Sequence, residues 1–156
     1  MELESFVVVM DSRTYYIAGD GQQNRQYYFD WSVIPDGKYE LTFSFVSDGT
    51  TMTLFTQYCL FSNMISPQNV YQAGSGIGAS TTPFLGYIVP NGLSTAGGAT
   101  NVFSAERHTN APIICNRPMT NIFTIGVFDG LSGTLATVFT DYVLTLHFKP
   151  LRLGLA

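Results

Sequence analysis

Phe29-Asp-Trp-Ser-Val-Ile-Pro-Asp-Gly-Lys-Tyr-Glu-Leu-Thr-Phe-Ser-Phe45 carries an aromatic run, a turn and a second alternating run. After the turn formers Pro35-Asp36-Gly37, Tyr39, Leu41, Phe43 and Phe45 alternate with Glu40, Thr42 and Ser44. A strand gathers such a set on one face, whereas a helix would scatter it around its axis. Before the turn, Tyr27, Phe29, Trp31 and Val33 occupy alternate positions, which predicts another strand with these four side chains on its core face. Near the end of the chain, Tyr142, Leu144, Leu146 and Phe148 alternate with Val143, Thr145, His147 and Lys149. Weaker strand patterns fall at Phe6–Met10, Thr51–Phe61, Phe84–Val89, Ile113–Cys115, Ile122–Phe128 and Thr134–Phe139. Asp48-Gly49, Asn91-Gly92 and Asp129-Gly130 place turn formers where alternating runs stop. Short strands separated by such turns predict a sandwich or barrel, and the class is all-β. A single turn of helix fits at most Pro67–Gln72 or Ser104–His108.

Working outward, 156 residues suffice for one domain with a hydrophobic core and leave little room for a second. Hydrophobic residues make up 46% and charged residues 12%, against about a quarter charged in an ordinary soluble domain. Such a chain is too apolar for intrinsic disorder. Its thin charge, with many Tyr, Thr, Ser and Asn, suits a protein–protein contact surface. The net charge is −4 and no basic face emerges, which argues against nucleic-acid binding. The start, Met1-Glu-Leu-Glu-Ser-Phe, is acidic where a signal peptide would be basic, and the apolar run after it is too short. No stretch approaches the roughly 20 apolar residues that span a bilayer as a helix. Cys59 and Cys115 sit in strand-like apolar segments and read as buried thiols rather than a disulfide. No Asn-x-Ser/Thr sequon occurs, and both features fit a protein made and used in a reducing cytosol.

One region differs from the rest. Between Asp48 and Glu106 there is no charged residue, and Gln72–Thr100 is dense in Gly, Ser, Thr and Ala. This reads as long loops around the strand Phe84–Val89, either folded onto the domain or covered by a neighbour, or else as a mobile Gly/Ser-rich surface.

A search for chemistry finds no constellation. Gly74-Ser-Gly-Ile-Gly-Ala79 matches a dinucleotide-binding pattern in letters, but Ser80-Thr-Thr-Pro83 follows it and cannot open the helix that motif requires. Gly92-Leu-Ser-Thr-Ala96 is one glycine short of a nucleophile elbow. His108 and His147 have no Asp, Glu or Cys nearby at ligand spacing, which favours structural roles over zinc binding or catalysis. The carboxylates are dispersed, with Asp36, Asp48 and Asp129 placed for turn hydrogen bonds. The expectation is a non-enzymatic protein with no catalytic, cofactor-binding or metal-ligating set and no small-molecule substrate. The aromatic residues, 14% of the chain, read as core more than as a sugar platform.

Three stretches carry a resemblance. They are Phe29–Phe45, then Pro112-Ile-Ile-Cys-Asn-Arg-Pro-Met-Thr-Asn121 with the strand Ile122–Phe128, and the closing Asp141-Tyr-Val-Leu-Thr-Leu-His-Phe148. In this order and spacing the chain, from about Gln26 to Lys149, resembles the small single-jelly-roll capsid proteins of large icosahedral double-stranded DNA viruses of the giant-virus lineage. The match is weakest over Asp48–Glu106. The resemblance implies an eight-stranded jelly-roll sandwich of two antiparallel sheets with long Gly/Ser-rich loops. It implies one such domain over residues 1–156, with short terminal arms at about 1–5 and 150–156. The major capsid proteins of these viruses are double jelly rolls, so a chain of this size would be a minor capsid or penton subunit. Its partners would be the major capsid protein and copies of itself, its location the virion, and its site of synthesis the host cytoplasm. The contact surface is expected in the uncharged loops of Gln72–Thr100 and in the arms Met1–Ser5 and Leu151–Ala156.

Two other readings stand beside this one. A carbohydrate- or receptor-binding jelly roll would stack exposed aromatics, such as Trp31 or Tyr87, on a ligand. A cupin-like enzyme would need clustered His and carboxylate ligands, and two scattered histidines supply too few.

Overall fold

The computed structural model describes residues 4–13, 16–19, 24–49, 58–65, 70–73, 80–90, 101–105, 110–129 and 139–151. The strands are β1 (Phe6–Asp11), β2 (Tyr16–Gly19), β3 (Asn24–Tyr28), β4 (Lys38–Gly49), β5 (Tyr58–Ser62), β6 (Val70–Ala73), β7 (Ser80–Pro90), β8 (Asn101–Ala105), β9 (Ile113–Asn116), β10 (Ile122–Asp129) and β11 (Phe139–Pro150). They build an all-β sandwich of two four-stranded antiparallel sheets with jelly-roll pairing. One sheet runs β1-β11-β4-β8 and the other β3-β10-β5-β7. At one corner the sheets join, where β7 pairs β8 only through Val89↔Ser104 and Pro90↔Phe103. β2 adds to the β3 edge, β6 pairs β7, and β9 pairs β4 at Lys38–Leu41, below the β8 pairing at Phe45–Gly49.

The alternation read from sequence sets the register. On β4, Tyr39, Leu41, Phe43 and Phe45 are all buried, and on β11 so are Tyr142, Leu144, Leu146 and Phe148. The two strands pair in register across this face, as Leu144↔Phe45, Leu146↔Phe43 and Phe148↔Leu41. From the other sheet, Tyr27, Leu60, Leu85, Ile88, Phe123, Ile125 and Val127 complete the core. Gly86 on β7 lets the sheets close here: a Cβ added to it would lie 2.6 Å from Asn110 and 2.7 Å from Phe43. Asn110 fills the place of a strand neighbour, its side chain accepting from Tyr87 N at 2.8 Å and donating to Tyr87 O at 3.1 Å.

The sequence expectation fails at the end of β3. Alternation predicts a strand through Val33, yet β3 stops at Tyr28 and Trp31–Val33 form one turn of 3-10 helix. Asp30 caps that turn by accepting from Ser32 N at 3.0 Å, and Ile34 N donates to Trp31 O at 3.0 Å. A short acidic side chain thus offers the backbone an alternative to the ladder. The turn keeps Trp31 in the core at 1% exposure and swings Val33 into solvent. Arg117 then holds the following turn, donating from N to Gly37 O at 3.0 Å and from Nη1 to Ile34 O at 2.9 Å.

Two other expectations are corrected. Val70–Ala73 is strand, because pairing with β7 decides its backbone, and Ser104 and Ala105 belong to β8. The remainder of both suggested helical turns lies outside the described residues, as do 51–57 and 134–138 of two expected strands. At the carboxyl end, Pro150 belongs to β11 rather than to an arm, and Leu151 N still donates to Lys38 O at 2.9 Å.

Candidate functional site: an outward sheet face

Among the described residues, three of the exposed valines gather on the outside of the β1-β11-β4 sheet. Directly opposite residues in an antiparallel pair share a face, so the register lays out this surface row by row. One row holds Asp11, Val143 and Val46, the next Val9, Thr145 and Ser44, and the next Val7, His147 and Thr42. Val7, Val9 and Val46 are 56%, 60% and 54% exposed, in strands whose alternate residues are almost wholly buried. Ser44 Oγ meets His147 Nε2 at 3.5 Å, giving the centre of the face a polar spot. Charges stand at its margins. Lys149 lies opposite Glu40 at one end, and Asp11 is clamped by Arg13 at the other.

That clamp is local and closed. Arg13 Nη2 lies 2.7 Å from Asp11 Oδ2, while Arg13 N and Nε both donate to Oδ1. These hydrogen bonds hold the Asp11 carboxyl down at about 2. Its charge is spent within the turn after β1.

The titratable groups inside the sandwich are shifted toward their neutral forms. Burial pushes the Cys115 thiol up to about 11. Burial also raises Tyr142, whose hydroxyl lies 2.8 Å from that of Tyr27 across the two sheets. Groups held neutral at ordinary pH in a packed interior make poor nucleophiles or bases. Cys59 and Cys115 are both buried and not joined in a disulfide, as their apolar surroundings predicted.

The sequence-level candidates disperse. Gly74–Ala79, Gly92–Ala96 and His108 lie outside the described residues. So does most of the expected contact surface, namely 74–79, 91–100, 1–3 and 152–156. His147 stands half-buried on the outward face of β11, opposite Val7 and Thr42 and with Nε2 3.5 Å from Ser44 Oγ. Among the described residues, no group of three His, Cys, Asp or Glu could hold a metal. Trp31, named as a possible sugar platform, is packed at 4.6 Å from Phe29, 5.5 Å from Phe123 and 5.6 Å from Phe148. It offers no stacking face to a ligand. Tyr87 is half-buried on β7. The outward face itself was legible in outline, since Val7, Val9, Val143 and Val46 occupy the positions opposite to the core alternation, but nothing in the sequence said that β1 would sit beside β11.

The fold is an all-β sandwich with jelly-roll pairing, and one of its sheets carries exposed valines on its outward face. No family model matches the chain, and neither a curated protein nor a solved structure is significantly similar to it.

Proposed function

We propose that this protein is a structural capsid subunit, a minor capsid or penton protein of a large double-stranded DNA virus, acting through protein–protein packing. The observation that carries the reading is the outward β1-β11-β4 face, where exposed valines stand among neutral Thr and Ser and charges lie only at the rim. Interface cores are depleted of charge in just this way, whereas a free monomer rarely leaves such a patch to water. The jelly roll suits the role, because two stacked sheets make a rigid block whose faces and edges can be tiled. The resemblance of Phe29–Phe45, Pro112–Phe128 and Asp141–Phe148 to single-jelly-roll capsid proteins supplies the particular assembly.

The test is direct. Mass spectrometry of purified particles should find this chain, and cross-links should join it to the major capsid protein. A protein that stays monomeric at high concentration and is absent from particles refutes the proposal. Val46→Lys should leave the fold intact and exclude the chain from particles.

A further inference from the structure

We infer that β1 is a pairing edge, and that its occupant is β1 of a second copy of this chain, running antiparallel about a two-fold axis at Val8. Among the described residues, β1, β2, β6 and β9 each pair on one side only. Three of these are four residues long, and the β2 register slips between Tyr16 and Ala18. Short or bulged edges are poor templates. β1 has six residues and pairs β11 without a shift from Phe6↔Phe148 to Asp11↔Val143. Its Phe6-Val-Val-Val-Met10 run contains none of the Lys, Pro or Gly residues that ordinarily protect an edge.

Backbone direction makes the edge available. Residues of an antiparallel strand turn their N–H and C=O groups alternately to one neighbour and the other. Ser12 N donates to Tyr142 O at 2.9 Å, and Leu151 N donates to Lys38 O at 2.9 Å. With the register these two bonds turn Phe6, Val8, Met10 and Ser12 toward β11. Val7, Val9 and Asp11 therefore turn their backbone groups to the open side.

The edge is complementary to itself. With the axis at Val8, Val7 pairs with Val9 of the second copy, and Val9 with its Val7, each exchanging backbone bonds. Phe6 meets Met10 of the second copy on the inward face, which continues the core across the junction. Ser5 comes opposite Asp11 and Glu4 opposite Ser12, so no two like charges stand directly opposite one another. The valine rows of the two outward faces become continuous. This contact deepens the assembly reading and rests on it for its biological role, although not for its chemistry.

Sedimentation velocity on the full chain should show a concentration-dependent monomer–dimer equilibrium. Val9→Pro removes an N–H that faces the open side, so it should weaken the dimer at least about tenfold while leaving thermal unfolding nearly unchanged. Should Val9→Pro fail to fold, Val7→Lys sets a lysine opposite Val9 of the second copy and should weaken the dimer in the same direction. Hydrogen exchange in the wild-type dimer should slow at the Val7 and Val9 amides and stay unchanged at Val8 and Met10. A wild-type chain that is monomeric throughout, or a dimer indifferent to both variants, overturns the inference. A dimer of this kind absent from particles keeps the edge contact and removes the capsid role; particles that contain an exclusively monomeric chain do the reverse.

Discussion

The two ends of β11 hold the sandwich together by different physics. At Phe148 the sheets meet through rings: Trp31 and Tyr39 both pack on it edge-on, at 5.6 and 5.9 Å, and Phe123 packs on Trp31. At Tyr142 they meet through polar groups. The Tyr142 and Tyr27 hydroxyls bond across the sheets, Arg25 donates to the carbonyl of Ser12, and Ser12 Oγ donates to Asp141 while accepting from Tyr142 N at 2.9 Å. Ser47 Oγ donates to Asp141 O at 2.5 Å. The aromatic end is stabilised by buried area in no fixed direction. The polar end is held by bonds that fix one geometry and are costly when half made.

Substitutions at each end separate the two kinds of physics. Trp31→Ala should cost about 3–5 kcal/mol in denaturant unfolding, as expected for removal of a fully packed aromatic. A loss below about 1 kcal/mol would mean that the aromatic end is loosely packed. Trp31→Phe should cost less than the alanine change, in part because the buried Nε1 of Trp31 has no hydrogen-bond partner among the described residues. At the polar end, Tyr142→Phe leaves the Tyr27 hydroxyl buried without the group it bonds, at a cost of about 1–3 kcal/mol. Adding Tyr27→Phe should recover much of that loss, and a double-mutant cycle with no coupling would deny the bond. Between the ends, Gly86→Ala should cost about 1–3 kcal/mol by forcing Asn110 and Phe43 aside.

Both ends should weaken in alkali. Cys115 and Tyr142 have raised values in the fold, so the native state keeps protons that the unfolded chain releases. Their stabilisation is fully present below the unfolded values and declines as pH rises. For Cys115 the decline runs from about 9 toward about 11. Melting curves across that window should fall, and Cys115→Ala should flatten the fall. The smallest effect belongs to Asp11. Its lowered value means that its contribution is present above about 4 and lost as pH falls toward 2. Because the Asp11–Arg13 pair is exposed, Asp11→Asn should change neutral-pH stability by no more than about 0.5 kcal/mol.

The outward faces carry a second contrast. On β5, between β10 and β7, all five residues are buried, including Cys59 and Phe61, which stand outside the main core cluster. The outside of that sheet is therefore covered at β5, while the outside of β1-β11-β4 is left open at Val7, Val9 and Val46. The proposed assembly contact lies on the open sheet, and the proposed pairing edge at β1 lies on its border.

How much was legible follows from what each residue reports. The faces of β4 and β11 could be read because apolar alternation records burial on one side directly. β2, β6 and β8 could not. Tyr16–Gly19, Val70–Ala73 and Asn101–Ala105 are short, and the last two lie in a region of small polar residues. Their strand character comes from the neighbours they pair with, and β-propensity is a weak guide where packing decides. Trp31 was placed correctly in the core by a pattern that then misplaced Val33, because Asp30 stops the strand with a side-chain bond. The uncharged loops and arms in which a contact surface is expected lie mostly outside the described residues. The described residues add a strand face whose valines look ordinary until β1, β11 and β4 are set side by side.

The all-β class, the buried faces of β4 and β11, the free thiols of Cys59 and Cys115 and the uncharged middle of the chain were all legible along the chain. Those properties are local, carried by side-chain chemistry and by periodicity along the strand. Only the tertiary structure decided that Phe6 lies opposite Phe148 and that Tyr27 bonds Tyr142. Only it decided that β1 ends a sheet with one side unpaired among the described residues. Pairings between residues so far apart in the chain have no local signature, because they arise from closing the sandwich as a whole and from the loop entropy that closure overcomes.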